Sequence, residues 1–248
     1  MSGHNKWSTI KRKKGALDAK RSKIFSKIIK EITIAVREGG NDPDGNPRLR
    51  LAIANAKGAS MPKDNIQRAI SKGGDKDGAS FSETTYEGYV HGVAIFIECL
   101  TDNLQRTVAN VRAVFNKYGG NLGTNGSLAH VFDRKGIFNI PRANVTDIDT
   151  FEMEVIDAGA EDIDIDDENG IITVTSAMED FGSIMKKLEA MNIEPESAQL
   201  QRLPVTTMDI DADTAKKVLR VVELFEEDDD VQNVYHNMEM TDEIVDAM

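Results

Sequence analysis

Asp162-Ile163-Asp164-Ile165-Asp166-Asp167-Glu168-Asn169-Gly170-Ile171-Ile172-Thr173-Val174-Thr175 is the stretch that decides the fold. Strict polar/apolar alternation over 162–166 reads as a half-buried strand, and the β-branched run 171–175 reads as its partner. Asn169-Gly170 between them is the dipeptide of a tight hairpin. Working outward, the pattern gives a strand at Ile137 to Ile140, a helix at Thr146 to Ala158, the hairpin, a helix at Met178 to Met191 and a strand at Ala198 to Leu203. That βαββαβ order predicts a ferredoxin-like unit.

Ahead of this unit, the sequence predicts a strand near Thr84 to Tyr89, a buried strand from Val90 to Leu100 and a helix from Asn103 to Tyr118. A glycine-rich loop at Gly119 to Gly126 and a strand near Leu128 to Phe132 follow. Behind it lie a helix, Ala212 to Phe225, and a strand, Val231 to Tyr235. That tail has too little to pack against alone, so it is expected to rejoin the sheet of residues 81–132 and make the ferredoxin-like block an insertion.

At the N-terminal end three helices are expected: about Asp18 to Glu38, stopped by Gly39-Gly40; Asn46-Pro47 to about Lys57; and Lys63 to Lys72. An Asn cap followed by Pro is a strong start signal for the second. Residues 73–80 read as a linker. The expected class is α+β, an N-terminal three-helix domain followed by two α/β sandwich domains, one ferredoxin-like and inserted into the other. The expected boundaries are 1–77 (basic, helical, with an N-terminal arm), 81–132 plus 205–248, and 133–204.

Charge is divided along the chain. Residues 1–80 carry 18 basic and 8 acidic side chains, net +10, while the remaining 168 carry 12 and 34, net −22, within an overall −12. Residues 1–30 hold ten cations against Asp18 alone. A strongly acidic body repels phosphate, so contact with a polyanion is expected only through the front of the chain. On the first helix, Lys20, Lys23, Lys27, Lys30 and Arg37 share one arc, and Ile24, Phe25, Ile28, Ile29, Ile32, Ala35 and Val36 fill the opposite one, with Arg21 and Ile34 breaking the pattern.

The single cysteine, Cys99, excludes a disulfide framework, and no apolar run is long enough to span a bilayer. A reducing, cytoplasmic setting and no membrane association are expected. His4, His91, His130 and His236 share no ligand spacing, and Asp162 to Asp167 lacks the glycine and terminal Glu of a calcium loop, so neither metal nor cofactor is expected. Cys99 reads as core rather than as a thiol paired with His236, and the Gly119 loop lacks the Gly-Lys-Ser/Thr ending of a phosphate-binding loop. Asp102 or Asn103 reads as the cap of the following helix. The acidic run Glu226 to Asp230 reads as a solvated turn.

The nucleic-acid-binding set expected from charge is Lys6, Lys11, Arg12, Lys13, Lys14, Lys20, Arg21, Lys23, Lys27 and Lys30, with Arg48, Arg50 and Lys57 extending the phosphate footprint. Trp7, inside the basic arm, offers a stacking surface or pins the arm to the second helix. The second and third helices have the spacing of a helix-turn-helix, with Lys63, Arg68 and Lys72 along the third. Few Asn, Gln or Arg side chains there face base edges, so direct readout is the weaker expectation.

Several separated motifs carry a resemblance: Gly3-His4-Asn5-Lys6-Trp7, Asp18-Ala19-Lys20-Arg21, Asn46-Pro47-Arg48-Leu49-Arg50, Tyr86-Glu87-Gly88-Tyr89, Ile97-Glu98-Cys99-Leu100-Thr101-Asp102-Asn103, Gly119-Gly120-Asn121-Leu122-Gly123 and Val234-Tyr235-His236-Asn237. Together, in order and over nearly the whole chain, they resemble the YebC family of probable transcriptional regulatory proteins, whose relatives include a mitochondrial translational activator of cytochrome c oxidase. The resemblance implies three domains and cytoplasmic nucleic-acid binding. The chain departs from it at Asn5, where many relatives have Ser, and at Val90-His91-Gly92-Val93, where many have a glycine- and proline-rich turn. Only Met1-Ser2 precede the family start, so no organelle leader is expected.

Two functions of different kind share these charges. The first is a non-enzymatic, DNA-binding transcriptional regulator. The alternative is a ribosome-associated translation factor on ribosomal RNA near the peptidyl transferase region, with ribosomal or other basic proteins meeting the acidic body. An enzyme is not expected, because no nucleophile, base and orienting group occur as a set.

Overall fold

The computed structural model describes residues 18–74, 80–241 and 243–244, with backbone only for Asp18, Ala19 and Lys20. Among the described residues three helices come first: α1 (Asp18–Gly39), α2 (Pro47–Gly58) and α3 (Lys63–Gly73). Then come β1 (Ser82–Val90), β2 (Val93–Thr101), α4 (Leu104–Lys117) and β3 (Asn121–Leu122). The chain continues through β4 (Phe132–Pro141), α5 (Ile148–Asp157), β5 (Ala160–Asp166), β6 (Ile171–Ala177), α6 (Phe181–Ala190) and β7 (Ser197–Pro204), and ends with α7 (Ala212–Glu227) and β8 (Val231–His236). The fold is α+β, a helical region and two antiparallel sheets.

One sheet has the order β3-β1-β2-β8 and the other β5-β6-β4-β7. The second is the ferredoxin-like order, and its hairpin turns at Gly170 (φ 67°) as the sequence predicts. The first is completed by β8, antiparallel to β2, so the tail does rejoin the earlier sheet and the ferredoxin-like block is inserted. Among the described residues, one compact unit takes those up to Lys23, those to Asp133 after the linker, and those from Leu203; the other takes Ile24 to the linker and Arg134–Arg202.

In the first unit, β1 and β2 form a hairpin with Val90 opposite Val93. The predicted continuous strand from Val90 is therefore broken. His91 (φ 51°) and Gly92 (φ 85°) both take the left-handed conformation of a two-residue type I′ turn, hidden in the sequence by buried valines on either side. The predicted strand near Leu128 to Phe132 is instead a run of turns ahead of β4, and part of the glycine loop pairs as β3 against Gly88 and Tyr89. Leu128 and Phe132 are buried with Ala94, Phe96 and Tyr235 over one face of the sheet. On the other face α4 and α7 pack, with the Phe115 and Phe225 rings 4.9 Å apart between centroids. A Cβ at Gly88 would lie 2.5 Å from the Asn121 carbonyl oxygen and 2.7 Å from the Phe115 ring, which is why glycine stands in that motif.

In the second unit the ferredoxin-like core holds Phe138, Ile140, Phe151, Val155, Ile172, Val174, Ile184 and Leu188. The helical core holds Ile32, Ala35, Val36, Leu49, Ala52, Ala56, Ile66 and Ala69. Asn46, 3 % exposed, serves both α1 and α2. Its Oδ1 accepts from Leu49 N (3.0 Å), capping α2, while its Nδ2 donates to the carbonyls of Ala35 (2.6 Å) and Gly40 (2.8 Å) at the end of α1. The amide supplies one acceptor and two donated bonds from a single short side chain, so it serves both helix ends at once.

Candidate nucleic-acid interface

Of the expected set, Lys6, Trp7, Lys11, Arg12, Lys13 and Lys14 lie outside the described residues, as does the side chain of Lys20. Arg21 is exposed at the start of α1. Lys23, Lys27 and Lys30 are half-buried, and Lys23 Nζ donates to the carbonyl of Glu227 at the end of α7 (2.9 Å), a favourable place for a cation. The apolar arc of α1 is deeper toward its C-terminal half: Ile32, Ala35 and Val36 are buried, whereas Ile24 is 49 % exposed. Ile34, which broke the predicted pattern, is buried too.

The footprint expected on α2 is largely paired within the protein. Arg48 Nε donates to Glu31 (2.8 Å) and its Nη1 to Glu38 (2.7 Å), so its charge ties α2 to α1. Lys57 is 3.9 Å from Glu194. Arg50 is exposed and, among the described residues, reaches the Asp44 carbonyl at 3.5 Å. On α3 the balance differs. Lys63, Gln67, Arg68, Ser71 and Lys72 are all exposed, and no carboxylate pairs with its three cations among the described residues.

Two carboxylates of the first unit, Asp230 and Glu87, are turned inward instead. Asp230, 4 % exposed, accepts from Arg106 Nε (3.1 Å), Arg106 Nη2 (2.7 Å) and Thr107 Oγ1 (3.0 Å), and Arg106 also donates to Asp102 (2.8 Å). These bonds to Asp230 and Asp102 hold the guanidinium even more firmly protonated than usual. The acidic run expected to be a solvated turn thus ends in a buried acceptor that joins β2, α4 and β8. Asn103 caps α4 by accepting from Arg106 N (3.0 Å), as expected. Glu87, 3 % exposed, accepts from the backbone of Gly126 (2.7 Å) and Leu128 (2.6 Å) and fixes the glycine-rich loop. Neither carboxylate carried a local signal, because their partners lie 39 to 124 residues away.

Glu98 accepts from Asn233 Nδ2 and Tyr235 Oη, both at 3.2 Å. The Val234-Tyr235-His236-Asn237 motif is thereby accounted for in part by sheet anchoring, and Asn237 Oδ1 accepts from Ala94 N (2.8 Å). Cys99 is buried core, and the β2/β8 register sets His236 opposite Ile95, four residues and roughly 13 Å along the strand from Cys99, so the two form no dyad. Among the described residues no group of three His, Cys, Asp or Glu side chains is placed to hold a metal ion, and no helix is long and apolar enough to cross a membrane.

A cationic helical segment joined to an acidic pair of antiparallel sheets, one inserted in the sequence of the other, defines an α+β protein with its charge unevenly divided along the chain. The described N-terminal domain of TACO1/YebC proteins matches residues 5–76, and their second and third domain matches residues 81–238. The chain belongs to the TACO1/YebC family. A probable transcriptional regulatory protein of Amoebophilus asiaticus is 54 % identical, over 96 % of this chain and 98 % of its own, and another of Geotalea uraniireducens is 49 % identical over the whole of both. The crystal structure of a conserved hypothetical protein from Aquifex aeolicus superposes with a TM-score of 0.82 at 42 % identity, covering 93 % of this chain and 95 % of that one.

Proposed function

We propose that this protein is a non-enzymatic regulator that binds nucleic acid through residues 1–77, with DNA and control of transcription as its task in the cytoplasm. The observation that carries the reading is the +10 charge of residues 1–80 against −22 behind them. Phosphate attracts such a front and is repelled by such a body. The names of the relatives, probable transcriptional regulatory proteins, support regulation as the role. The arm cations Lys6, Lys11, Arg12, Lys13 and Lys14 with Lys20, Arg21, Lys23, Lys27 and Lys30 grip the backbone, and Trp7 stacks on a base. Arg50 extends the footprint. Arg48 and Lys57, drawn to Glu31, Glu38 and Glu194, contribute less than the sequence alone suggests. Residues 81–132 with 205–248, and 133–204, form the acidic domains, open to basic protein partners.

Crosslinking in living cells followed by sequencing of the bound nucleic acid tests this reading. Promoter fragments are the expected yield. Recovery of ribosomal RNA alone would replace transcription by translation as the task.

A further inference from the structure

We infer that the outward face of α3 is a second nucleic-acid contact, separate from the arm and seated in the major groove of duplex DNA. This rests on the reading above that the protein binds nucleic acid. Ile66, Ala69 and Gly73 hold the helix on the core, and a Cβ at Gly73 would come within 2.9 Å of Val36 Cβ, so α3 lies close on α1 and its outer face is fixed. At 100° per residue the exposed positions make two adjacent rows. Lys63, Gln67 and Ser71 form one, and Asp64, Arg68 and Lys72 the other.

Together the rows run from Lys63 to Lys72, about 14 Å at 1.5 Å per residue, enough to cross a groove about 12 Å wide. Lys63 stands at the amino end and Lys72 at the carboxyl end, so the cations bracket the helix and suit the phosphates on either side of a groove. Gln67 lies between them with an amide free to meet a base edge, the bidentate pairing that favours adenine. Arg68 is pre-set, its Nη2 donating to Asn65 Oδ1 and its Nε to the Asp64 carbonyl (3.2 Å). The contrast with α2 is what assigns the role: there Arg48 and Lys57 are paired with carboxylates, while on α3 Asp64 shares the row of Arg68 and Lys72 but no carboxylate forms an ion pair with Lys63, Arg68 or Lys72 among the described residues. A helix of this diameter enters a B-form major groove and not the narrow one of A-form RNA, so the partner is DNA.

The test is the salt dependence of binding to a 25-base-pair duplex by the full-length chain, comparing wild type, K63Q/R68Q/K72Q and the acidic-body control K216Q/K217Q. Three lost phosphate contacts should lower the slope of log affinity against log salt by roughly three and weaken binding at least about tenfold near 0.1 M salt, with unchanged circular dichroism and melting. Q67A should flatten the preference among duplexes differing at one base pair while leaving the slope alone. A wild-type slope in the α3 triple variant, with binding still lost on reversal of the arm charges, overturns the α3 contact and leaves the nucleic-acid reading standing. If wild type ignores duplex DNA altogether, or if the triple variant loses only binding to structured RNA, the groove assignment falls; silence toward both DNA and RNA sinks the function reading itself.

Discussion

The helical segment and the sheet of β1, β2, β3 and β8 handle charge in opposite ways. In and beside the sheet two carboxylates sit inside: Glu87 and Asp230 are nearly inaccessible and hold a glycine loop, a helix start and a returning strand. In the helical segment the ions lie at the surface, some tied across to a neighbouring helix and some, on α3, directed outward. Buried carboxylates make a fold cooperative, since a bare acceptor or donor inside costs heavily. Surface cations do little for stability and remain available to a partner. On the proposed reading, stability and binding are written in separate parts of one chain, so mutations should divide the two properties cleanly.

The largest effect on folding should come from Phe115→Ala. It empties the contact between Phe225, Gly88 and Gly120 and should cost about 3–5 kcal/mol in chemical denaturation. If the comparison holds, its affinity for nucleic acid under native conditions is that of wild type. Glu87→Ala should follow with about 1–3 kcal/mol, because the Gly126 and Leu128 N–H groups lose their side-chain acceptor in a buried site. Faster amide exchange at those two groups, with the rest of the sheet protected, would sharpen the picture. Loss of nucleic-acid binding in either variant would break it.

The smallest effect concerns acid. Asp147 accepts from Thr150 and Asp211 from Thr214, at the starts of α5 and α7, and these hydrogen bonds hold both carboxyls below the ordinary range. A carboxyl with a depressed folded pKa contributes stability above its unfolded value of about 3.9, and that contribution is lost as pH falls through the folded value. Melting temperature followed from pH 6 to pH 2 should therefore drop less steeply for Asp211→Asn than for wild type, since asparagine caps without titrating.

Local chemistry made much of the fold legible. Asn46-Pro47 and Asn103 announced helix starts that the caps confirm, and alternation around Asn169-Gly170 announced the ferredoxin-like hairpin. What stayed hidden depends on long-range pairing. The turn at His91-Gly92 lies inside an apolar run because both flanking valines are core, and Leu128 reads as strand although it packs as the lid of a sheet. The proposed interface rests on a charge imbalance that the sequence shows by itself. Which cations face outward was not legible, because Glu31, Glu38 and Glu194 reach Arg48 and Lys57 only once the helices pack.

Everything turns on whether the front of the chain binds a polyanion while leaving the fold indifferent. The direct measurement is affinity for duplex DNA and for a ribosomal RNA fragment across 0.05 to 0.3 M salt, for wild type and for K11E/R12E/K13E/K14E. The account predicts a wild-type slope of roughly −5 to −9, a loss of at least about a hundredfold in the reversed variant, and the same melting temperature for both. Equal affinity of the two proteins, or a flat salt response in wild type, would contradict it.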